Sequence, residues 1–143
     1  MNIFTIGFSQ KTAEEFFTLL MANHVEKLID IRLNNQSQLS GFTNIKHLPY
    51  FLGLHNMMYD YKYDFAPTKK LLDDYKNKII NWGEYERQYN QILRDRDVLN
   101  KISIKEFENA VLLCSEPTAI QCHRRLVAEY IAKGFDNINI KHL

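Results

Sequence analysis

The chain has 143 residues, 45% hydrophobic and 24% charged, which suits one globular domain over residues 1–143 with a sizeable core. Eighteen Lys and Arg against seventeen Asp and Glu give a net charge of +1, so there is no global basic footprint for nucleic acid, although a local basic patch stays open. Two cysteines are too few for a disulfide scaffold, the opening segment is strand-like rather than a signal peptide, and no apolar run approaches a membrane span; together these predict a reducing, cytoplasmic context.

In chain order, Asn2 to Ile6 is a short apolar segment that breaks at Gly7 and predicts a buried strand. Thr12 is placed to cap a helix, with Glu15 three residues on, and Ala13, Phe16, Phe17, Leu20 and Met21 form its apolar stripe. Val25 to Ile31 predicts a second strand, and the Asn-, Gln- and Ser-rich stretch 33–43 a loop. Ile45 to Leu54 predicts a short helix, with Pro49 near its start or interrupting it. Met57 to Phe65 alternates as a strand does, at least in its first half. A helical region runs from Pro67 and Thr68 to Ile79 and is expected to break at Trp82-Gly83, before a helix with Tyr85, Tyr89, Ile92 and Leu93 on one face. Ile102 to Asn109 predicts a short helix and Ala110 to Cys114 a strand. Cys122 to Lys133 predicts a helix stopped by a left-handed Gly134, and Phe135 to His142 a last strand. The alternation predicts an α/β domain with a mostly parallel sheet flanked by helices.

In such a sheet, ligands bind beyond the carboxyl ends of the strands. There the first strand supplies Gly7 and Ser9, the second Asp30 and Arg32, and the fourth Cys114 and Glu116, while the helix near Cys122, His123 and Arg124 opens toward the same edge. Helix N-termini favour anions and thiolates. Each residue also has a plainer reading: Gly7 and Ser9 as turn residues, Asp30 and Arg32 as a structural ion pair, His123 as a hydrogen-bonded core histidine, Arg125 as solvent-facing, and the tyrosine-rich strand as core. Neither a Walker loop nor a G-x-G-x-x-G run is present, which argues against ordinary ATP or dinucleotide chemistry.

At these residues the sequence resembles the family known as domain of unknown function 488. Its first block, T-I-G-H-S, corresponds to Thr5-Ile6-Gly7-Phe8-Ser9, and its D-V-R strand followed by Pro and Ser to Asp30-Ile31-Arg32 with Ser37. Its L-L-C-x-E and C-H-R blocks correspond to Leu112-Leu113-Cys114-Ser115-Glu116 and Cys122-His123-Arg124. The chain departs from the family in three places. Phe8 replaces the histidine, Asn35 stands where proline is usual, and no glycine-rich stretch is recognisable around Lys62 to Pro67. The resemblance implies a fold and a site without an established reaction.

The expected function is a small enzyme that binds a small anionic ligand, a nucleotide or a nucleic-acid end. Gly7, Ser9, Arg32, Ser37 and Arg124 would form the binding set, and Asp30, Cys114, Glu116, Cys122 and His123 the catalytic set. An alternative is thiol or sulfur chemistry at Cys114 or Cys122, because the Asp30-Arg32 strand, the strand-end cysteine and the Arg-bearing helix loosely resemble rhodanese-like sulfurtransferases. Their catalytic loop is shorter, however, and the loop here contains Pro117. A non-catalytic binding module is the other alternative, favoured by Phe8. A metal site on Cys114, Cys122, His123 and Glu116 is not expected, because adjacent Cys122 and His123 should diverge on a helix. The sequence indicates no cofactor, membrane partner or oligomeric state.

Overall fold

A computed structural model describes residues 1–38, 40–116 and 118–143. Leu39, within the expected 33–43 loop, and Pro117, ahead of the last helix, lie outside the described residues. Strands β1 (Asn2–Gly7), β2 (Lys27–Asp30), β3 (Met58–Tyr61), β4 (Ala110–Cys114) and β5 (Asn139–His142) form one all-parallel sheet in the order β3-β2-β4-β1-β5. Helices α1 (Ala13–Ala22), α2 (Leu48–Leu54), α3 (Lys69–Lys76), α4 (Trp82–Asp95) and α5 (His123–Gly134) cover both faces.

The sheet is buried on both sides at its centre because β4 is apolar throughout: Val111 and Leu113 face one way, Ala110 and Leu112 the other, and all four are buried. Phe16, Phe17 and Leu20 of α1 and Leu48 and Leu52 of α2 pack on the first face with Phe4, Ile6 and Leu28. Leu71 of α3, Tyr85, Tyr89 and Leu93 of α4, and Leu126, Val127 and Ile131 of α5 pack on the second with Ile3, Ile29 and Leu112.

Capping residues fix the helix starts. The Thr12 hydroxyl accepts from the Glu15 N–H, Thr68 from Leu71, and Asn81 from Glu84, each satisfying one of the unpaired N–H groups of a first turn. The Asn81 cap corrects one expectation: Trp82-Gly83 opens α4 instead of breaking the helical region. Gly134 corrects another. It is the last helical residue and has no positive φ; a Cβ there would press on Leu99, so the glycine serves packing rather than a left-handed stop. The alternating segment keeps strand geometry only over β3 and then tightens into a 3-10 turn at Tyr63–Phe65. The short helix expected over Ile102 to Asn109 is a single 3-10 turn, Ile104–Phe107, with a Ser103–Glu106 capping box. The helix around Pro49 starts only at Leu48, with the proline in its first turn.

Candidate functional site

The carboxyl ends of β1, β2 and β4 share one edge: Gly7 lies beside Cys114, and Asp30 beside Leu113. Backbone bonds carry the pairing past the strand ends, from the N–H of Phe8 to the Cys114 carbonyl and from Ser9 to Ser115. Above this edge lies a crevice of about 1230 Å³, and Ser9, Arg32, Ser37, Cys114, Glu116, Cys122 and His123 all line it. Its far wall comes from α3, the turn after it and the start of α4: Tyr75, Lys76, Lys78, Trp82 and Tyr85. The Trp82 and Tyr85 rings stack at 4.9 Å and 15°. Tyr75 spans the crevice to donate its hydroxyl hydrogen to Gln121 Oε1 at 2.8 Å.

Asp30 does not line the crevice. It is fully buried and holds Arg32, itself 4% exposed, in a two-pronged pair: Nε to Oδ1 and Nη2 to Oδ2, both 2.8 Å. The Arg32 backbone N–H also reaches Oδ1, Nη2 donates to the Thr43 carbonyl, and the Tyr59 hydroxyl donates to Oδ2 at 2.7 Å. Burial and the adjacent Asp30 carboxylate push the Tyr59 hydroxyl pKa well up, so it stays a donor. The Arg32 guanidinium carbon stands 5.5 Å over the Phe8 ring, a cation–π contact. Phe8, where the family has histidine, therefore forms a platform beneath the guanidinium. Every nitrogen of that group is engaged except Nη1, which is buried without a partner among the described residues. The ion-pair reading of Asp30 and Arg32 thus describes their geometry, and one donor is left over.

The other face of the sheet brings sulfur and imidazole together. Cys122 is the N-cap of α5 with extended φ and ψ (−141° and 140°), and His123 is the first helical residue. The expectation that their side chains diverge fails because only one of the two is on the helix. Their ligand atoms and that of Cys114 all lie within 4.8 Å of one another, and all three residues are buried. The sequence predicts separate thiols; the structure joins the Cys114 and Cys122 sulfurs in a disulfide, with Cα atoms 7.5 Å apart. His123 Nε2 is 2.8 Å from the Ile31 carbonyl, an acceptor only, so that nitrogen carries the proton. Nδ1 then presents a lone pair, 3.6 Å from Cys114 Sγ. Burial pushes the His123 pKa down to about 4, so the ring is neutral at pH 7.

Arg124 and Gly7 stand behind this pair without lining the crevice. The Arg124 guanidinium, 1% exposed, donates through Nη1 to the Glu116 backbone carbonyl, and its Nε is buried without a partner among the described residues. Burial pushes its pKa down to about 10, with the Glu116 carboxylate opposing, so it stays charged at neutral pH. The Glu116 side chain itself is exposed at the rim. A Cβ at Gly7 would overlap both the Glu116 carbonyl oxygen and Arg124 Nη1, so this glycine provides room rather than an unusual backbone angle.

Sequence reasoning misses Tyr59, Thr43, the Phe8 platform and the lysine-bearing aromatic wall. Only the alternation of Tyr59 and Tyr61 in a strand hints at any of them; in the pairing of β2 with β3, Tyr61 lies beside Asp30 and Tyr59 beside Leu28. Arg125, expected to face solvent, is 23% exposed and pairs with Glu129 on its own helix and with Glu86 of α4.

No curated protein matches the chain, and no solved structure does. The family model described as "Domain of unknown function DUF488" matches residues 12–131, a span that takes in the Asp30-Arg32 strand, the Cys114-Glu116 strand end and the Cys122-His123-Arg124 helix start but not the Gly7 turn; the chain belongs to that family.

Proposed function

We propose that the chain is a small enzyme whose carboxyl-edge crevice binds an anionic, ring-bearing substrate of the nucleotide class. The observation that carries this reading is Arg32 Nη1, a buried guanidinium nitrogen without a partner among the described residues, in a side chain that lines the crevice. Leaving a buried charged donor unpaired costs more than about 1–3 kcal/mol, which an incoming phosphate oxygen would recover. Lys76 and Lys78, both exposed on the opposite wall, add positive charge, and the half-buried Trp82 ring, backed by the buried Tyr85, offers an aromatic surface to a base. In this reading Asp30 and Tyr59 position Arg32, and Arg124 holds the Glu116 loop in place while adding to the positive field. Ser9 and Ser37 contribute polar lining. In the reduced protein, Cys114 is the nucleophile and His123 Nδ1 its base, with Glu116 as the exposed acid or base at the rim.

Titration calorimetry with inorganic phosphate, a nucleoside monophosphate and the bare nucleoside tests the reading. The monophosphate should bind more tightly than the nucleoside, with an affinity that falls as salt rises. Arg32→Ala would strand the buried Asp30 charge and is a poor probe of binding alone. Lys76→Ala combined with Lys78→Ala leaves the core intact and should weaken binding by about two- to thirtyfold, taking each exposed charge pair at about 0.2–1 kcal/mol. Equal affinity for nucleoside and monophosphate overturns the anion site. A second reading, sulfur transfer, is favoured by the Cys114–Cys122 pairing. Its sign would be a persulfide on one cysteine after incubation with a sulfane-sulfur donor, read by intact-protein mass.

A further inference from the structure

We infer that the reduced Cys114–Cys122 pair and His123 form a binding site for a thiophilic d10 cation, with zinc the divalent example, at the base of the crevice. The site does not depend on the anion-binding groups, since neither Arg32 nor the two lysines belong to it; it does use Cys114 and His123 Nδ1, which with the ion bound are ligands in place of nucleophile and base.

Four observations converge. First, the donor set of two sulfurs and one imidazole nitrogen suits such a cation, and the three ligand atoms lie within 4.8 Å of one another in buried surroundings. Second, the histidine is already oriented. Its Nε2–H is committed to the Ile31 carbonyl, which leaves Nδ1 as the metal-binding nitrogen and fixes the ring plane, as outer-shell acceptors do in metal sites. Third, the spacing fits. Zn–S bonds of about 2.3 Å and Zn–N bonds of about 2.0 Å at tetrahedral angles put sulfur and nitrogen about 3.5 Å apart. Cys114 Sγ and His123 Nδ1 stand 3.6 Å apart. Fourth, the two cysteine Cα atoms are 7.5 Å apart, beyond the common disulfide range of about 4.4–6.8 Å, so the backbone leaves space for an ion between two separated sulfurs.

Charge also balances: two thiolates and one divalent ion make a neutral buried unit, whereas two buried thiolates alone would not be tolerated. All three ligands line the crevice, so the fourth coordination position opens into it. That is the pattern of a reactive site rather than a closed structural one. The disulfide and the metal are alternative states of one sulfur pair. Reduction by a phosphine converts the disulfide to two thiols, with the phosphine and one water yielding the phosphine oxide. Binding the ion then releases two thiol protons.

The test uses the full chain in two states: reduced with a phosphine and desalted without oxygen, and disulfide-bonded. Both are titrated with zinc against a chromogenic chelator and, separately, with cobalt as a spectroscopic probe. The reduced wild type should bind one equivalent of zinc, and its cobalt form should show thiolate-to-metal charge transfer and tetrahedral visible bands. The disulfide form should bind neither. Cys122→Ser and His123→Ala each remove a ligand and should each lower zinc affinity at least tenfold, the loss typical of an outer-shell partner alone. Equal binding by the reduced and disulfide forms, or a cobalt spectrum without thiolate bands, overturns the inference. The cobalt spectrum is read on the wild type, so the test holds even where a variant fails to fold.

Discussion

Gly7→Ala is the sharpest probe of how the site is built, because it adds a single methyl group where three elements meet. The new Cβ would overlap the Glu116 backbone oxygen and crowd Arg124 Nη1. Backbone cannot swing aside as a flexible side-chain tip does, so the strain falls on the loop between β4 and α5, which carries Glu116 and leads into Cys122 and His123. Overpacking of this kind destabilises by about 1–3 kcal/mol. At about 2.1 cal/mol/K per residue, unfolding 143 residues gives an entropy near 0.3 kcal/mol/K, so the expected fall in Tm is roughly 3–10 °C. Gly53→Ala is the control. Gly53 lies in α2, has no positive φ, and a Cβ there meets nothing within 4 Å. The same chemical change should raise stability by about 0.5–1 kcal/mol, or roughly 2–3 °C. Thermal unfolding followed by circular dichroism measures both. A Gly7→Ala protein melting within about 1 °C of wild type would refute the close approach of Gly7, Glu116 and Arg124.

Two further predictions concern the supports around the site. Tyr59→Phe removes one charged hydrogen bond from Asp30 while leaving the paired Arg32 in place, so urea unfolding should show a loss of about 1.5–2 kcal/mol with an unchanged m-value; a loss under about 0.5 kcal/mol would mean that the hydroxyl does not hold the carboxylate. His142, whose Nδ1 is 2.6 Å from the Thr5 hydroxyl oxygen, has its pKa pushed down by burial and then by Arg124. The folded state therefore takes up its proton less readily than the unfolded chain, and the contribution of the neutral ring is complete above the ordinary histidine pKa of about 6.5 and lost as pH falls below it. His142→Gln should show a shallower decline in urea stability between pH 7 and pH 5 than the wild type, and parallel declines would contradict this assignment.

The parts of the fold that are legible in the sequence are those set by local chemistry. The run Ala110 to Cys114 reads directly as a strand buried on both faces, and the Thr12–Glu15 cap marks the start of α1 to the residue. Trp82 misleads because a tryptophan-glycine pair resembles a break, while the determining residue is Asn81 just before it, whose side chain makes a glycine in the first turn tolerable. In the site, the strand-end rule groups Ser9, Arg32, Cys114 and His123 without knowledge of any contact. It could not separate lining residues from buried supports. Asp30 faces the interior because its Tyr59 and Arg32 partners enclose it, and Tyr59 comes from a strand whose neighbour is decided by sheet order. The meeting of Cys122 with His123 is hidden in the sequence because Cys122 is a cap with extended backbone, one residue ahead of the helical spacing that starts at His123.

The strand order has a kinetic consequence. β1 has two sheet neighbours, β4 and β5, and Ile3 lies beside Ala110. β2 has β3 close in sequence, but its other edge also waits for β4. During synthesis at about 5–20 residues per second, the first strand therefore remains without a partner for several seconds. Its apolar residues, Ile3, Phe4 and Ile6, are the ones most in need of cover. The late arrival of β4 inserts the central strand and brings Cys114 to the edge in one event, so the sheet and the Cys114–Cys122 pairing should mature together and slowly.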